Sequence, residues 1–369
     1  MTLAGIGVAY PATLTQDELW RGFFANHYGG VQRALASRLF ANAGVVTRHG
    51  ALNPLVEDVS AWSTERRMRR YLMEALPLGK AAVGDALAAA GLPAADVGMF
   101  AVCSCTGYVT PGVDILLARD LGLPADAQRL FIGHMGCYAA LPGLGVVGDF
   151  AQARGRPAVL LCLELTSLHV QPPTADAEQI VAHALFSDAA AAVVVRPDGP
   201  GYRLVDVVSV TDPGTAEHMT WDVTDLGFRM GLSHRVPEVL AGHVAPLVDR
   251  LLARHGLARG DVDGWAVHPG GPRILDVVQA GLGLSDADLA ASRAVLAEHG
   301  NCSSPTVLMI LDALRPDRPD RVVALAFGPG LTLYAVLLAA TGVTPAGVTP
   351  AGVTPAGVTP AGEGRRRSR

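Results

Sequence analysis

Lysine is nearly absent from this sequence of 369 residues, because Lys80 is the only lysine among 29 basic residues. The basic residues are outnumbered by 34 acidic ones, which gives a formal net charge of -5 at pH 7. Proteins that bind nucleic acid usually carry a basic surface, so this balance argues against that function. With so little lysine, any phosphate-binding site must be built from arginine, whose planar guanidinium offers several parallel donors.

Long apolar runs are also missing. No stretch reaches about 18 uninterrupted apolar residues, and the first twenty residues contain no basic segment followed by a long apolar one. These absences argue against a membrane-spanning helix and against a signal peptide. We expect a cytoplasmic protein that does not associate with a membrane.

The cysteines are few, odd in number and without a C-x-x-C pair. Both disulfide frameworks and zinc sites normally show paired spacing, so neither is indicated, and no other metal site is expected. We expect five reduced thiols, which are Cys103, Cys105, Cys137, Cys162 and Cys302.

Half of the residues are hydrophobic, enough for one extensive core. Apolar strand-like runs alternate with helical patterns, and this alternation begins again after the Pro-Gly-rich residues 197–201. We therefore predict two similar α/β halves, residues 1–198 and 199–340. Residues 341–369 contain four GVTPA repeats and a basic end, GEGRRRSR, and predict a disordered, dispensable tail because proline recurs every fifth residue.

Cys137 lies at the centre of residues 133–143, GHMGCYAALPG. An apolar run precedes this segment and an Ala- and Val-rich run follows it, which predicts a buried strand, a tight turn and a buried helix. Free N–H groups at the start of a helix favour thiolate over thiol. Cys137 is therefore a candidate nucleophile, although a buried structural cysteine has the same pattern.

His268 and Asn301 supply two further candidates. His268 ends a short apolar strand before a Gly-Gly turn, and Asn301 precedes a helix in a glycine-containing loop. In layered α/β folds, ligands bind at strand ends. A Cys-His-Asn set could activate a thiol and stabilise an oxyanion, but papain-like proteases use the same residue types in the same order, so the set alone does not define the reaction.

Six segments around and between these residues carry a family resemblance. They are GHMGCYAALPG, LLCLELTSL (160–168), ALFSDAAAAVVV (184–195), WAVHPGGPRILD (265–276), HGNCSSPTVL (299–308) and AFGPGLTLYAVLL (326–338). Together they resemble the type III polyketide synthases, the chalcone and stilbene synthase family, over about residues 1–340. The resemblance implies the thiolase fold, with two pseudo-duplicated halves in a five-layered α-β-α-β-α core, a homodimer, and substrates that arrive as coenzyme A (CoA) thioesters without a further cofactor.

By this resemblance, Cys137 holds the starter and the growing chain as a thioester. His268 and Asn301 bind the thioester carbonyl of malonyl-CoA, so that loss of CO2 leaves a stabilised enolate. Phe186 and Met230 match the two gatekeeper positions. The other implied substrate-binding residues are Cys105, Thr166, His169, Trp221, Ser303, Gly328, Pro329 and Gly330.

Contacts to CoA are predicted at Gly270 and Gly271, which follow His268, and at Arg38 and Arg48. The two arginines belong to a cluster near the N-terminus, which is either a solvated helix face or a contact for an anionic ligand. The expected substrates are malonyl-CoA and an acyl-CoA starter.

The product class is open at this stage. Trp221 and His169 replace smaller residues of the plant enzymes, and Met230 is flexible and apolar, so we predict an aliphatic starter, few extensions and an alkyl pyrone or resorcinol. The main alternative is a malonyl-primed synthase of the tetrahydroxynaphthalene type, with which Cys105 and an aromatic residue at position 221 are associated. Two other readings are a ketoacyl synthase of the type that initiates fatty-acid synthesis and an inactive thiolase-fold binding subunit.

Overall fold

The structure is a computed structural model that describes residues 1–341, so the prediction made for the tail lies outside the described residues. The strands are β1 (Thr2–Ala9), β2 (Ala12–Thr15), β3 (Thr47–Gly50), β4 (Met99–Ser104), β5 (Gln128–Gly133), β6 (Ala158–Glu164), β7 (Ala189–Arg196), β8 (Tyr202–Thr211), β9 (Met219–Thr224), β10 (Gly227–Leu232), β11 (Gly264–Val267), β12 (Arg321–Gly328) and β13 (Thr332–Ala340). The helices are α1 (Gln16–Leu19), α2 (Ala25–His27), α3 (Gly30–Ala41), α4 (Thr64–Ala90), α5 (Val113–Leu121), α6 (Ala140–Arg154), α7 (Ala177–Leu185), α8 (Val236–Ala253), α9 (Pro272–Leu282), α10 (Ala290–His299) and α11 (Pro305–Leu314).

Nine strands form one mixed sheet in the order β11-β12-β13-β8-β1-β7-β6-β4-β5. The first five strands of the large sheet in chain order, β1 and β4 to β7, occupy one side, and β8 and β11 to β13 occupy the other. The two sides meet through only two residue pairs between β1 and β8, Thr2 with Arg203 and Leu3 with Tyr202. Each half of the chain therefore builds its own part of the sheet, and the predicted α/β class is confirmed.

Alternating side chains of the strands pack into different layers. In β6, Leu160 contacts the cluster around α6 and α11, whereas Leu161 contacts the cluster around α4 and α5. In β12, Ala324 faces the same central cluster and Leu325 faces α8 and α9. Because strands buried on both faces read as continuous apolar runs, this packing explains the runs in the sequence. The helices α6 and α11 thus lie between the two sides of the sheet, while α4 and α5 cover the outer face of one side and α8 and α9 that of the other. The layers follow the order helix, sheet, helix, sheet, helix.

Local signals fix several helix ends. Thr15 forms a capping box with Glu18 at the start of α1, and Ser63 accepts a hydrogen bond from the Arg66 N–H at the start of α4. The 27-residue helix α4 ends at Gly91, whose φ of +58° is a conformation that glycine adopts at little cost.

One prediction about local structure is wrong for the single chain. The strand before Cys137 was predicted to be buried, but β5 is the edge strand of the sheet, and Leu130 and Phe131 are 36% and 39% exposed. The stretch after β8 contains the hairpin of β9 and β10. Within residues 1–341, none of the helices is both long and apolar enough to cross a bilayer.

Candidate active site

Cys137 lies in the turn between β5 and α6, with only 6% of its surface exposed. The turn depends on Gly136, which has a φ of +80°. A Cβ atom at this position would also lie 2.6 Å from Cδ of Pro329. The residue before the candidate nucleophile must therefore be glycine, both for its backbone conformation and for the close approach of the 328–330 loop.

The thiol of Cys137 is in a desolvated environment. Burial raises its pKa to about 11, and the nearby carboxyl group of Glu164 acts in the same direction, while a hydrogen bond with Ser303 acts in the opposite one. The sequence predicted that the helix N-terminus would favour the thiolate. The structure gives the other result, because the loss of water around the sulfur outweighs the stabilising contacts.

His268 directly follows β11, and its backbone N–H donates to the Leu325 carbonyl at 2.8 Å. The side chain is 1% exposed, and neither ring nitrogen has a hydrogen-bond partner within residues 1–341. Burial lowers the pKa of His268 to about 3, so the imidazole is neutral near pH 7. A buried, unpartnered imidazole is costly to the fold, which marks it as a group kept for a ligand.

Asn301 lies in the loop between α10 and α11 and is 2% exposed. Its side-chain oxygen accepts a hydrogen bond from the Ser303 N–H at 2.8 Å, which leaves the amide N–H groups oriented away from that contact. Cys137, His268 and Asn301 line one cavity of about 770 Å³, together with Phe186 and Met230 and with Gly270 and Gly271. The cavity thus combines a thiol, a neutral imidazole and an amide, which can supply a nucleophile and two uncharged hydrogen-bond donors.

Comparison with known proteins decides the family. Residues 3–199 match the N-terminal domain of the chalcone and stilbene synthases, and residues 204–342 match the C-terminal domain. The chain belongs to the chalcone and stilbene synthase family. This membership confirms the enzyme class that the sequence predicted, a type III polyketide synthase with acyltransferase chemistry.

Relatives with different products are similar to this synthase. A 1,3,6,8-tetrahydroxynaphthalene synthase of Streptomyces peucetius subsp. caesius is 38% identical over 84% of both chains. The alpha-pyrone synthesis polyketide synthase-like Pks18 of Mycobacterium tuberculosis is 31% identical over 83% of this chain and 82% of its own. The solved structure of the tetrahydroxynaphthalene synthase of Streptomyces coelicolor A3(2) is 31% identical and has a TM-score of 0.87, covering 92% of this chain and 99% of that one. This match confirms the predicted thiolase fold.

A second, smaller chamber of about 30 Å³ lies beside the thiol of the synthase. Phe186 and Met230 line both this chamber and the large cavity, as gatekeepers would. Gly328 and Gly330 do not line either space but shape the loop that contains Pro329: a Cβ at Gly328 would lie 2.9 Å from Cδ1 of Tyr138. The predicted residues that line the small chamber are Cys105, Thr166, Trp221, Ser303 and Pro329.

Trp221 lines the small chamber, whereas His169 lines neither the chamber nor the large cavity and packs against the Trp221 ring with the ring centroids 5.5 Å apart. The indole N–H of Trp221 donates to the Cys105 carbonyl at 2.7 Å. Burial lowers the pKa of His169 to about 3, so its neutral ring donates from Nε2 to the Thr106 carbonyl at 2.7 Å and accepts at Nδ1 from the Phe228 N–H at 2.9 Å. Both aromatic side chains are therefore held by the backbone and cannot rotate freely to enlarge the chamber.

Glu164 was missed by the sequence analysis. It ends β6 and is 1% exposed, and it accepts hydrogen bonds from the Cys105 N–H at 3.0 Å, the Thr106 hydroxyl at 2.8 Å and the Ser304 hydroxyl at 2.9 Å. Burial raises its pKa to about 7, although these donors act in the opposite direction. The signal was available, since Glu164 is a charged residue at the end of the apolar strand β6, where an acidic side chain is seldom buried without partners.

The two arginines predicted to contact CoA do not line the large cavity. Arg48 is 6% exposed and donates from Nη1 to the backbone carbonyls of His183 at 2.6 Å and Phe186 at 3.1 Å. These hydrogen bonds help to hold the backbone of the gatekeeper Phe186 in place. It lines a separate space of about 70 Å³. Arg38 is exposed on α3 outside the cavity. Contact of Arg38 and Arg48 with CoA stays a prediction.

Proposed function

We propose that this synthase condenses malonyl-CoA with an acyl group held on Cys137, and that His268 and Asn301 stabilise the enolate. The observation that carries the proposal is the unpartnered ring of His268, buried in the same cavity as Cys137 and Asn301. Further cofactors are not needed for this chemistry.

The reaction begins with acyl transfer. A neutral imidazole has one N–H and one nitrogen with a free lone pair, so His268 accepts the thiol proton while the sulfur of Cys137 attacks the acyl-CoA carbonyl. CoA leaves as a thiol after it takes up that proton, and the acyl group remains as a thioester. His268 returns to the neutral form, which its buried environment favours.

Decarboxylation follows with a second substrate. The carbonyl oxygen of malonyl-CoA accepts hydrogen bonds from the His268 ring N–H and the Asn301 amide. When the carbon–carbon bond to the carboxylate breaks, CO2 leaves and the electron pair moves onto this oxygen as an enolate. Each such donor is worth about 3 to 4 kcal/mol at the transition state. The enolate carbon then attacks the thioester on Cys137, which forms the new carbon–carbon bond and frees the sulfur.

The lining of the small chamber favours a malonyl starter. Cys105 and Trp221, the two positions associated with malonyl-primed synthases, both line it, and the Trp221 indole N–H donates to the Cys105 carbonyl. We therefore propose malonyl-CoA as its own starter, leading to an aromatic product of the naphthalene type, as named for relatives that are 38% and 33% identical.

An aliphatic starter leading to an alkyl pyrone or resorcinol is the second candidate. It is supported by Met230, a flexible apolar residue between the chamber and the large cavity, and by the similarity to Pks18. Mass spectrometry of products made from malonyl-CoA alone, and with added fatty acyl-CoA, separates the two. An abundant aromatic pentaketide without added acyl-CoA supports the first candidate, and product formation only with fatty acyl-CoA supports the second.

We further propose a cytoplasmic homodimer. The edge strand β5 exposes the backbone groups of one side and the apolar side chains of Leu130 and Phe131, which a second copy could cover. Sedimentation of the protein and of Phe131→Asp tests this: a dimer that the variant weakens is expected, and a monomeric wild-type protein would contradict it.

A further inference from the structure

The space of about 70 Å³ that Arg48 lines is separate from the large cavity. Phe186 is the one residue that lines both. The space borders the small chamber through Thr166, Phe186 and Trp221, which line both of them. Its volume is enough for a few water molecules or for one small ion.

The guanidinium of Arg48 has a free edge. Its Nη1 donates to the backbone carbonyls of His183 and Phe186, whereas Nε and Nη2 are buried and have no hydrogen-bond partner within residues 1–341. Nε and Nη2 lie on one side of the planar group, where their two parallel N–H donors match the two oxygens of a planar oxyanion. The unpartnered part of Arg48 is therefore a complete bidentate donor.

The charge of Arg48 is retained. Burial lowers its pKa to about 10, while Asp188 acts in the opposite direction, so the group is a cation near pH 7. Asp188 does not accept from Nε or Nη2. Its carboxylate instead accepts from the Ala51 N–H at 2.8 Å, the Ser167 N–H at 2.7 Å and the Thr166 hydroxyl at 3.0 Å. A buried cation whose donors are unpaired is costly to the fold, which marks this edge as a site for an anion.

Gln179 supplies an acceptor to the same space. It lies on α7 and is 3% exposed, and its Oε1 is buried without a hydrogen-bond partner in the described part of the chain. Glu57, the acidic residue of the lining, is paired with Arg66 at 3.4 Å and with Arg70 at 3.2 Å, which offsets its repulsion of an anion. The space thus offers two donors on a cation and one neutral acceptor.

We infer that Arg48 and Gln179 bind bicarbonate in the 70 Å³ space. Two oxygens of the ion accept from Nε and Nη2 of Arg48, and its O–H donates to Oε1 of Gln179. Formate has the two oxygens but lacks the O–H, and chloride has neither, so the polar groups select bicarbonate over both. The decarboxylation proposed above releases CO2, which water converts to bicarbonate, but binding of the ion does not depend on that reaction.

Thermal unfolding of the full-length protein at pH 8, with bicarbonate replacing chloride at constant ionic strength, tests the inference. The Tm should rise and the rise should saturate, as for a ligand that binds the folded state. Arg48→Gln should weaken bicarbonate binding by about 10- to 100-fold, and Gln179→Leu by about 3- to 10-fold, because they remove charged and neutral hydrogen bonds respectively. Formate should bind equally to wild type and Gln179→Leu, since it has no O–H to donate.

Two other arginines serve as controls. Arg203 on β8 is partly buried and also has an unpartnered nitrogen among residues 1–341, but it does not line the space, so Arg203→Gln should keep the wild-type affinity for bicarbonate. Arg273 lines the large cavity, and Arg273→Gln should keep that affinity as well.

A wild-type Tm without a saturable response to bicarbonate would overturn the inference, and so would wild-type affinity in Arg48→Gln. A loss in Arg273→Gln would place the ion in the large cavity instead. If Arg48→Gln does not fold, Gln179→Leu decides: a loss confined to bicarbonate supports the site, and an equal response to bicarbonate and formate contradicts it. These measurements need no turnover, so their outcome is distinct from that of the condensation assays.

Discussion

The backbone of Phe186 is paired with that of Asn301 in an isolated parallel bridge. The Asn301 N–H donates to the Leu185 carbonyl at 2.9 Å, and the Ser187 N–H donates to the Asn301 carbonyl at 3.0 Å. These contacts join the loop after α7, which carries the gatekeeper, to the loop before α11, which carries the amide. The position of the amide donor therefore depends on the same backbone that positions the gate.

Gly300 is the point at which this pairing is most sensitive. Its φ is +71°, and a Cβ atom there would lie 2.9 Å from Cβ of Ser187 and 3.0 Å from the Leu185 carbonyl oxygen. Gly300→Ala should lower the free energy of unfolding by about 1 to 3 kcal/mol and reduce malonyl-CoA decarboxylation, because Asn301 is displaced. Gly84→Ala, on α4 where a Cβ meets no atom within 4 Å, is the control and should retain both stability and activity. Wild-type decarboxylation in Gly300→Ala would show that the bridge does not position the amide.

The reaction of Cys137 with iodoacetamide should depend strongly on pH. Because burial raises its pKa to about 11, the reactive thiolate is a small fraction at pH 7, and the alkylation rate should rise about tenfold per pH unit from pH 7 to 10. Cys137 should be labelled first, since it is the cysteine of residues 1–341 that lines the large cavity. Peptide mapping over this pH range checks both points. A rate that levels off below pH 8 would instead support the thiolate that the sequence predicted.

Glu164 should make stability depend on pH in a defined direction. Its pKa in the folded protein, about 7, lies above the ordinary value of 4.5, so between these values the folded protein keeps a proton that the unfolded chain releases. This group's contribution to stability is complete below about pH 4.5 and falls by about 3 kcal/mol as the pH rises through 7. Glu164→Gln removes this dependence.

The free energy of unfolding of wild type, Glu164→Gln and the exposed control Glu217→Gln, measured at pH 5 and pH 8, tests the direction. The difference between Glu164→Gln and wild type should shift in favour of the variant at pH 8, while Glu217→Gln follows wild type. A shift in favour of wild type at pH 8 would contradict the raised pKa.

The sequence predicted what depends on local pattern. The alternation of apolar runs with helical patterns predicted the α/β class, and the fully buried strands β6 and β7 are continuous apolar runs of this kind, because buried strands leave little room for polar residues. The family resemblance correctly indicated the class, and the structure brings Cys137, His268 and Asn301 to one cavity.

The exposure of a strand and the pKa of a buried group could not be predicted from the sequence, because both depend on residues that are distant along the chain. The exposure of β5 follows from its edge position, and the pKa of Cys137 follows from how closely other loops exclude water. Arg48 illustrates the same limit: only the packing of β3 shows that its guanidinium bonds the backbone carbonyls of His183 and Phe186 and does not line the large cavity.

The most direct test of the proposed mechanism measures decarboxylation and condensation separately in the same variants. With purified protein and malonyl-CoA, His268→Ala and Asn301→Ala should each lose about 100-fold or more of the decarboxylation rate, because each removes a donor to the enolate oxygen. Cys137→Ala should retain decarboxylation and lose chain extension, and His243→Ala, on α8 and outside the cavity, should behave as wild type. Decarboxylation that is unchanged in both His268→Ala and Asn301→Ala would contradict the account.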